Sequence, residues 1–162
     1  MAAFSLPGAL QNLVCLSVPA RLWRCQHNSS QARFMPAVAQ LQASEFLRLN
    51  IDESGLGEAV WEHLQGGHSL QASSFLSVLD DEVQATQWAQ NRWWDETCTQ
   101  VQLWELDSAK VLLETVILRV NDLRTHFRLP MKRDTSGEYL VVNFIPEAAC
   151  VNIREVGQPK AH

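Results

Sequence analysis

The chain has 162 residues, 46% of them hydrophobic, and a formal charge of −5, so its composition does not encode bulk attraction to nucleic acid or to an anionic membrane. No apolar run approaches the ~20 residues that a membrane-spanning helix needs. Cys15, Cys25, Cys98 and Cys150 are scattered without a CxxC pair, which argues against a disulfide scaffold and for reduced thiols.

The first 44 residues contain no Asp or Glu, and all 18 acidic residues lie from Glu45 onward. This stretch carries Arg21, Arg24 and Arg33 and is broken by Pro7, Pro19 and Pro36. An acid-free, arginine-bearing, serine-containing N-terminus has the composition of an organelle transit segment. The apolar run Leu6–Leu16 has no positive flank before it, so a secretory signal fits less well. Residues 1–43 are therefore expected to be an N-terminal arm or transit segment, with residues 1 to about 34 removed or disordered. The destination is then intracellular: a mitochondrion or other organelle, or otherwise the cytoplasm. Asn28-Ser29-Ser30 is formally a glycosylation sequon, relevant only to a secreted chain.

Residues 44–156 are expected to form a single α+β domain. Ser44 caps a short helix through Phe46, Leu47 and Leu49; Asp52–Gly55 is a turn. Leu56, Val60, Trp61 and Leu64 then recur at helical spacing up to Gly66-Gly67, which fit a left-handed C-cap. A third helix is predicted over 69–94, with Ser69 as cap. Ala72, Phe75, Leu76, Leu79, Val83 and Trp93 or Trp94 lie on one side and Trp88 on the other.

Residues 98–106 alternate and predict a strand. The next segment, Asp107 to Arg128, is the longest periodic stretch. At about 100° per residue, Ala109, Leu112, Leu113, Val116, Ile117, Val120, Leu123 and Phe127 share one arc. Asp107 suits the N-cap and Pro130 the stop, giving a central helix of roughly 30 Å. A polar loop follows from Met131 to Gly137. Tyr139–Ile145, β-rich and almost continuously apolar, predicts an interior strand, and Cys150–Val156 alternates as a last one. Residues 157–162 are a loose tail. The predicted fold is α+β: an α-helical N-terminal half, then strand–helix–strand–strand, with a small sheet packed on the long central helix. The first two strands would be parallel through a right-handed crossover, and the last two an antiparallel hairpin.

Chemistry is sparse. Cys25, His27, His63 and His68 are the one soft-ligand group, but C-x-H and H-x4-H are not zinc-finger spacings, and no metal or cofactor is expected. No GxSxG, HExxH, phosphate loop or dinucleotide fingerprint occurs, so no catalytic residue is assigned. His126 lies one turn beyond Asp122, which suits a surface contact as readily as an acid–base pair. Arg124, His126, Arg128, Lys132 and Arg133 form a basic cluster that fits an anion, or simply the negative end of a helix dipole. Trp88, on the polar side of its predicted helix with Arg92 one turn on, has the composition of an interface hot spot. These features point to a non-enzymatic accessory, adaptor or regulatory subunit that binds another protein or a second copy of itself through Trp88 and Arg92. Nucleic-acid binding through the basic cluster is one alternative, and an enzyme of unidentified class is another.

Overall fold

The computed structural model of the protein describes residues 3–65 and 72–159. Strands β1 (Arg21–His27), β4 (Phe75–Leu79), β5 (Val101–Asp107), β6 (Ile117–Arg119), β7 (Glu138–Val142) and β9 (Cys150–Glu155) form a six-stranded sheet. Its order is β6-β7-β4-β1-β5-β9, and each neighbouring pair is antiparallel. Strands β2 (Arg33–Met35), β3 (Gln40–Gln42) and β8 (Phe144–Pro146) form a second sheet in the order β2-β3-β8.

Helices α1 (Glu53–Leu64), α2 (Glu82–Asn91), α3 (Ser108–Leu112) and α4 (Val120–Phe127) are short. Asp52, Asp81 and Asp107 cap the first three, each side chain accepting a first-turn backbone N–H, which satisfies donors that the helix cannot. On one face of the large sheet, α1 and α4 cover the β6-β7-β4 end through Leu56, Val60 and Leu123 against Phe75, Leu118 and Leu140. On the same face α2 sets Ala85 and Ala89 over Leu79, Val101 and Leu103. The opposite face packs Leu22, Leu76, Trp104, Ile117 and Val141 against Leu41, Ile145 and Val111 of the small sheet and α3. The result is a layered α+β domain, with α1, α2 and α4 on one face of the large sheet and the small sheet with α3 on the other.

The expected central helix does not form. The stretch Asp107–Arg128 becomes α3, a turn, β6 and α4. Thr115, Val116 and Ile117 are consecutive β-branched residues, and these resist helix and favour strand. Pairing with β7 then settles the matter: Ile117 opposes Val141, Leu118 opposes Leu140, and Thr115 Oγ1 donates to the Val142 carbonyl at 2.7 Å. Ile117 and Leu118 are both fully buried, on opposite faces. A helix cannot place adjacent residues that way, whereas a strand must. Leu113, expected in the core, is 74% exposed.

The expected α-helical N-terminal half is also overturned. Residues 21–42 supply β1, β2 and β3, and β1 is an interior strand. The acid-free composition there is matched across the strand pair, since Arg21 lies 3.6 Å from Glu105 and 3.7 Å from Asp107 on β5. Residues 44–50 are not helical. Of the helix predicted over 69–94, Phe75–Leu79 is β4, buried on both faces, and helix forms only over Glu82–Asn91, continued by a 3-10 turn at Arg92–Trp94. Ser69, Gly66 and Gly67 lie outside the described residues. The parallel crossover and final hairpin are replaced as well, because β5 and β7 are not neighbours and β9 pairs with β5. Asn143, at φ 70°, ends β7, and a short turn of helix at Glu147–Ala149 carries the chain to the far sheet edge.

Entry into β7 is geometrically tight. Gly137 has φ 78°, and a Cβ there would stand 2.3 Å from Asp80 Oδ1. Gly137→Ala is expected to cost about 1–3 kcal/mol, from positive-φ strain and overpacking together. A urea melt checks this, and a loss under about 0.5 kcal/mol would contradict it.

Candidate functional site

The large sheet is not evenly knit. β1 matches β5 along seven residue pairs but meets β4 at a single one, Trp23 opposite Leu79. The strands part beyond that point, and a cleft of about 800 Å³ opens on the helical face. β1 supplies Trp23, Arg24, Cys25 and His27; β4 supplies Ser77; the end of α1 supplies His63. The end of α2 contributes Trp88 and Arg92, and the start of β7 adds Glu138 beneath Arg133.

Arg24 sits in the parting. Its Nη1 donates to the Ser77 carbonyl at 3.2 Å, giving a β4 carbonyl the partner that β1 does not provide. Nε and Nη2 donate to Gln26 Oε1 at 3.3 and 3.1 Å, and Gln26 donates on to the Ala32 carbonyl. These bonds use three of the five guanidinium donors. Burial lowers Arg24 to about 10, with Cys25 opposing that shift and Arg92 adding to it, so it remains a cation at neutral pH. Arg92 hydrogen-bonds the Cys25 side chain, whose thiol is nonetheless raised by burial. A raised thiol is a poor nucleophile.

His63 lies between two hydroxyls, with Nδ1 2.6 Å from Ser73 Oγ and Nε2 2.7 Å from Ser77 Oγ. Burial first, then Arg24 and Arg133, lower it to about 4. His27 is likewise lowered to about 4 by burial, Arg92 and Arg24. Both rings are therefore neutral near pH 7. A Ser77–His63 pair has the reach of a nucleophile and base, but a histidine titrating near 4 is a weak base and its third partner is Ser73, not a carboxylate. Cys25, His27 and His63 do share the cleft, yet no group of three His, Cys, Asp or Glu among the described residues is placed to hold a metal ion. His68 lies outside those residues.

Glu138 is the buried acid of the cleft. Its carboxylate accepts two bonds from Arg133, at 2.7 and 3.4 Å. Trp88 forms the facing wall, its ring centre 5.8 Å from the Arg133 guanidinium carbon. Trp23 adds a second indole whose Nε1 is buried with no hydrogen-bond partner, a donor for which burial alone offers no compensation.

Residues 17–158 match the model of a family described as Domain of unknown function (DUF7587). The chain belongs to that family. The matched span of the DUF7587 family contains every residue lining the cleft. No curated protein matches the chain.

The residues singled out from sequence are dispersed. Trp88 and Arg92 line the cleft, and Trp88 packs near Leu79, from which the helical count had separated it. Trp93 donates Nε1 to the Val156 carbonyl, while Trp94 is 83% exposed. The basic cluster does not form one surface. Arg124 is spent on the carbonyls of Met131 and Arg133 and on Thr135 Oγ1. His126 pairs with Glu53 of α1 at 2.6 Å, and Asp122 faces Arg119. Arg128 takes the left-handed C-cap of α4, Lys132 is exposed, and Arg133 alone enters the cleft. Asn28 receives the Thr99 and Gln100 amides and donates to the Thr97 carbonyl, so a glycan on it would break that turn. Sequence reasoning missed Arg24, His63 with Ser77, and Glu138. Glu138 carried one signal: an acid opening an otherwise apolar interior strand.

Proposed function

We propose that the cleft binds a small phosphorylated ligand bearing a planar ring, of the nucleotide class, with Glu138 as the carboxylate that acts on it. The observation that carries this reading is the convergence of Arg24, Arg92 and Arg133 with two tryptophans around one buried glutamate. Guanidinium forks match phosphate oxygens, and indole faces stack on nucleobases. A concave site walled by Trp88 and Arg92 suits such a ligand better than the flat protein interface that those residues suggest in isolation. The dispersed basic cluster gives no continuous track for a nucleic-acid backbone.

The chemistry favours a particular bond. A buried carboxylate stabilises positive charge developing at a sugar carbon. Neither cleft histidine donates a proton near neutral pH, since both titrate near 4. The leaving group must therefore depart without protonation. A ring nitrogen already cationic on ribose does so: the carbon–nitrogen bond breaks, its electron pair neutralises the ring, and a hydroxyl or water oxygen bonds to the carbon and releases its proton to solvent. A nicotinamide dinucleotide combines phosphates, rings and such a bond.

Calorimetric titration with ADP tests binding. Saturable binding is expected, weakened about tenfold by Arg92→Ala, as for one lost charge-assisted contact. Release of nicotinamide from NAD tests the chemistry, with Glu138→Gln expected to bind but not to turn over. Absence of ADP binding, or binding indifferent to Arg92, would refute the reading.

A further inference from the structure

Arg133 stands between the two walls of the cleft. Its guanidinium grips Glu138 on β7 with two bonds and lies over the Trp88 ring of α2. The Glu138 side chain is 2% exposed and that of Arg133 41%, so a solvated cation closes off a buried carboxylate. The backbone beneath is fixed. Arg124 donates to the Met131 and Arg133 carbonyls, and Thr135, itself buried, donates to Asn121 Oδ1. On the β7 side, the Glu138 amide donates to the Thr135 carbonyl and the Asp80 amide to the Gly137 carbonyl. With its backbone held at both ends, the moving part is the Arg133 side chain.

A carboxylate and a phosphate compete for the same guanidinium fork. Phosphate offers more acceptor oxygens and more charge, and it would lie between Arg133, Arg24 and Arg92, whose cations have no carboxylate partner comparable to Glu138 among the described ion pairs. Exchange leaves Arg133 satisfied and turns the Glu138 carboxylate toward the cleft interior, where a sugar would lie.

We propose that Arg133 is a ligand-operated clasp: without ligand it caps Glu138, and a bound pyrophosphate group draws its guanidinium off the carboxylate. The inference rests on the nucleotide reading of the cleft and adds the order of events, phosphate first and carboxylate exposed second. It also means that a neutral ring compound lacking phosphate leaves Glu138 capped.

The test is carbon NMR of the protein labelled at glutamate carboxyls, titrated with inorganic pyrophosphate. Glu138→Gln assigns the Glu138 signal by its absence. Arg133→Ala gives the position of an uncapped Glu138, and Arg133→Lys, which keeps the charge but loses the fork, gives it if the alanine variant fails to fold. On saturation, the Glu138 signal of the native protein is expected to move to the uncapped position. Arg133→Ala is expected to weaken pyrophosphate binding about tenfold. Indole N–H signals of Trp23 and Trp88, followed alongside, report occupancy. Shifted indoles with an unmoved Glu138 would overturn the clasp and leave the cleft reading standing. No saturable shift in either would overturn both.

Discussion

Leu118→Ala is expected to destabilise the domain by about 2–5 kcal/mol, the range for a buried leucine that leaves a cavity. Leu113→Ala, five residues away, is expected to change stability by about 0.5 kcal/mol or less. The contrast follows from β6. Leu118 packs with Leu10, Leu56, Leu123 and Leu140 in one sealed cluster, so the space left by its side chain can be refilled only by moving several elements. Leu113 follows α3 in a turn and is largely in water. A helix through this stretch would reverse the order, with Leu113 on the buried arc and Leu118 opposite. Urea melts of the two variants decide between the arrangements, and a larger loss for Leu113 would reject β6.

Acid is expected to weaken the fold steeply between about pH 6.5 and 4. His27 and His63 each titrate near 4 in the folded state, against an ordinary 6.5. The unfolded chain thus takes up their protons first as the pH falls. Each histidine then contributes stability fully present above 6.5 and lost as the pH drops through about 4, and solvent screening makes the His27 share the smaller. His63 is the more deeply buried of the two, and the neighbouring guanidinium groups of Arg24, Arg92 and Arg133 oppose protonation of one or both rings. Asp95 and Asp134 are held below 3.8 by hydrogen bonds from Thr97 and Ser136, so their loss comes at lower pH and does not blur the window. Unfolding midpoints from pH 7 to 4 check this. His63→Gln, which can still bond both serines, should remove at least half of the slope, and a flat profile in the native protein would contradict the neutral state of both rings.

Local rules in the chain read true where only neighbours matter. Asp107 caps a helix, and the segments around Val101–Leu106, Leu140–Val142 and Val151–Glu155 are strands, because caps, alternation and β-rich runs are properties of a few adjacent residues. The misreadings share one cause. Phe75–Leu79 and Ile117–Leu118 are covered on both faces, so their apolar residues are continuous and fit a helical wheel as well as a strand. Which state wins is decided by β7, which lies between β4 and β6 and is distant from both in sequence. The cleft was hidden for a related reason. Its members come from β1, α1, β4, α2 and β7, and no short spacing links Arg24 to Ser77 or to Glu138. Trp88 and Arg92 were visible because they are one turn apart on one helix, but the helical count could not tell a cleft wall from an open surface.

The parting of β1 from β4 has a mechanical meaning. In backbone terms the large sheet is two three-stranded ribbons, β6-β7-β4 and β1-β5-β9, joined at one residue pair. On the helical face one apolar cluster belongs to the β6-β7-β4 ribbon and a second lies under α2 on the β1-β5-β9 ribbon, reaching across only at Leu79, beside the joining pair, with the polar cleft between them. On the other face a single cluster crosses the join, from Leu22 and Trp104 to Leu76 and Val141. The molecule is built like a book whose spine is oily and whose pages meet through side chains. Beyond the Trp23–Leu79 pair, the bond from Arg24 to the Ser77 carbonyl spans the gap where a ladder of amides would otherwise run.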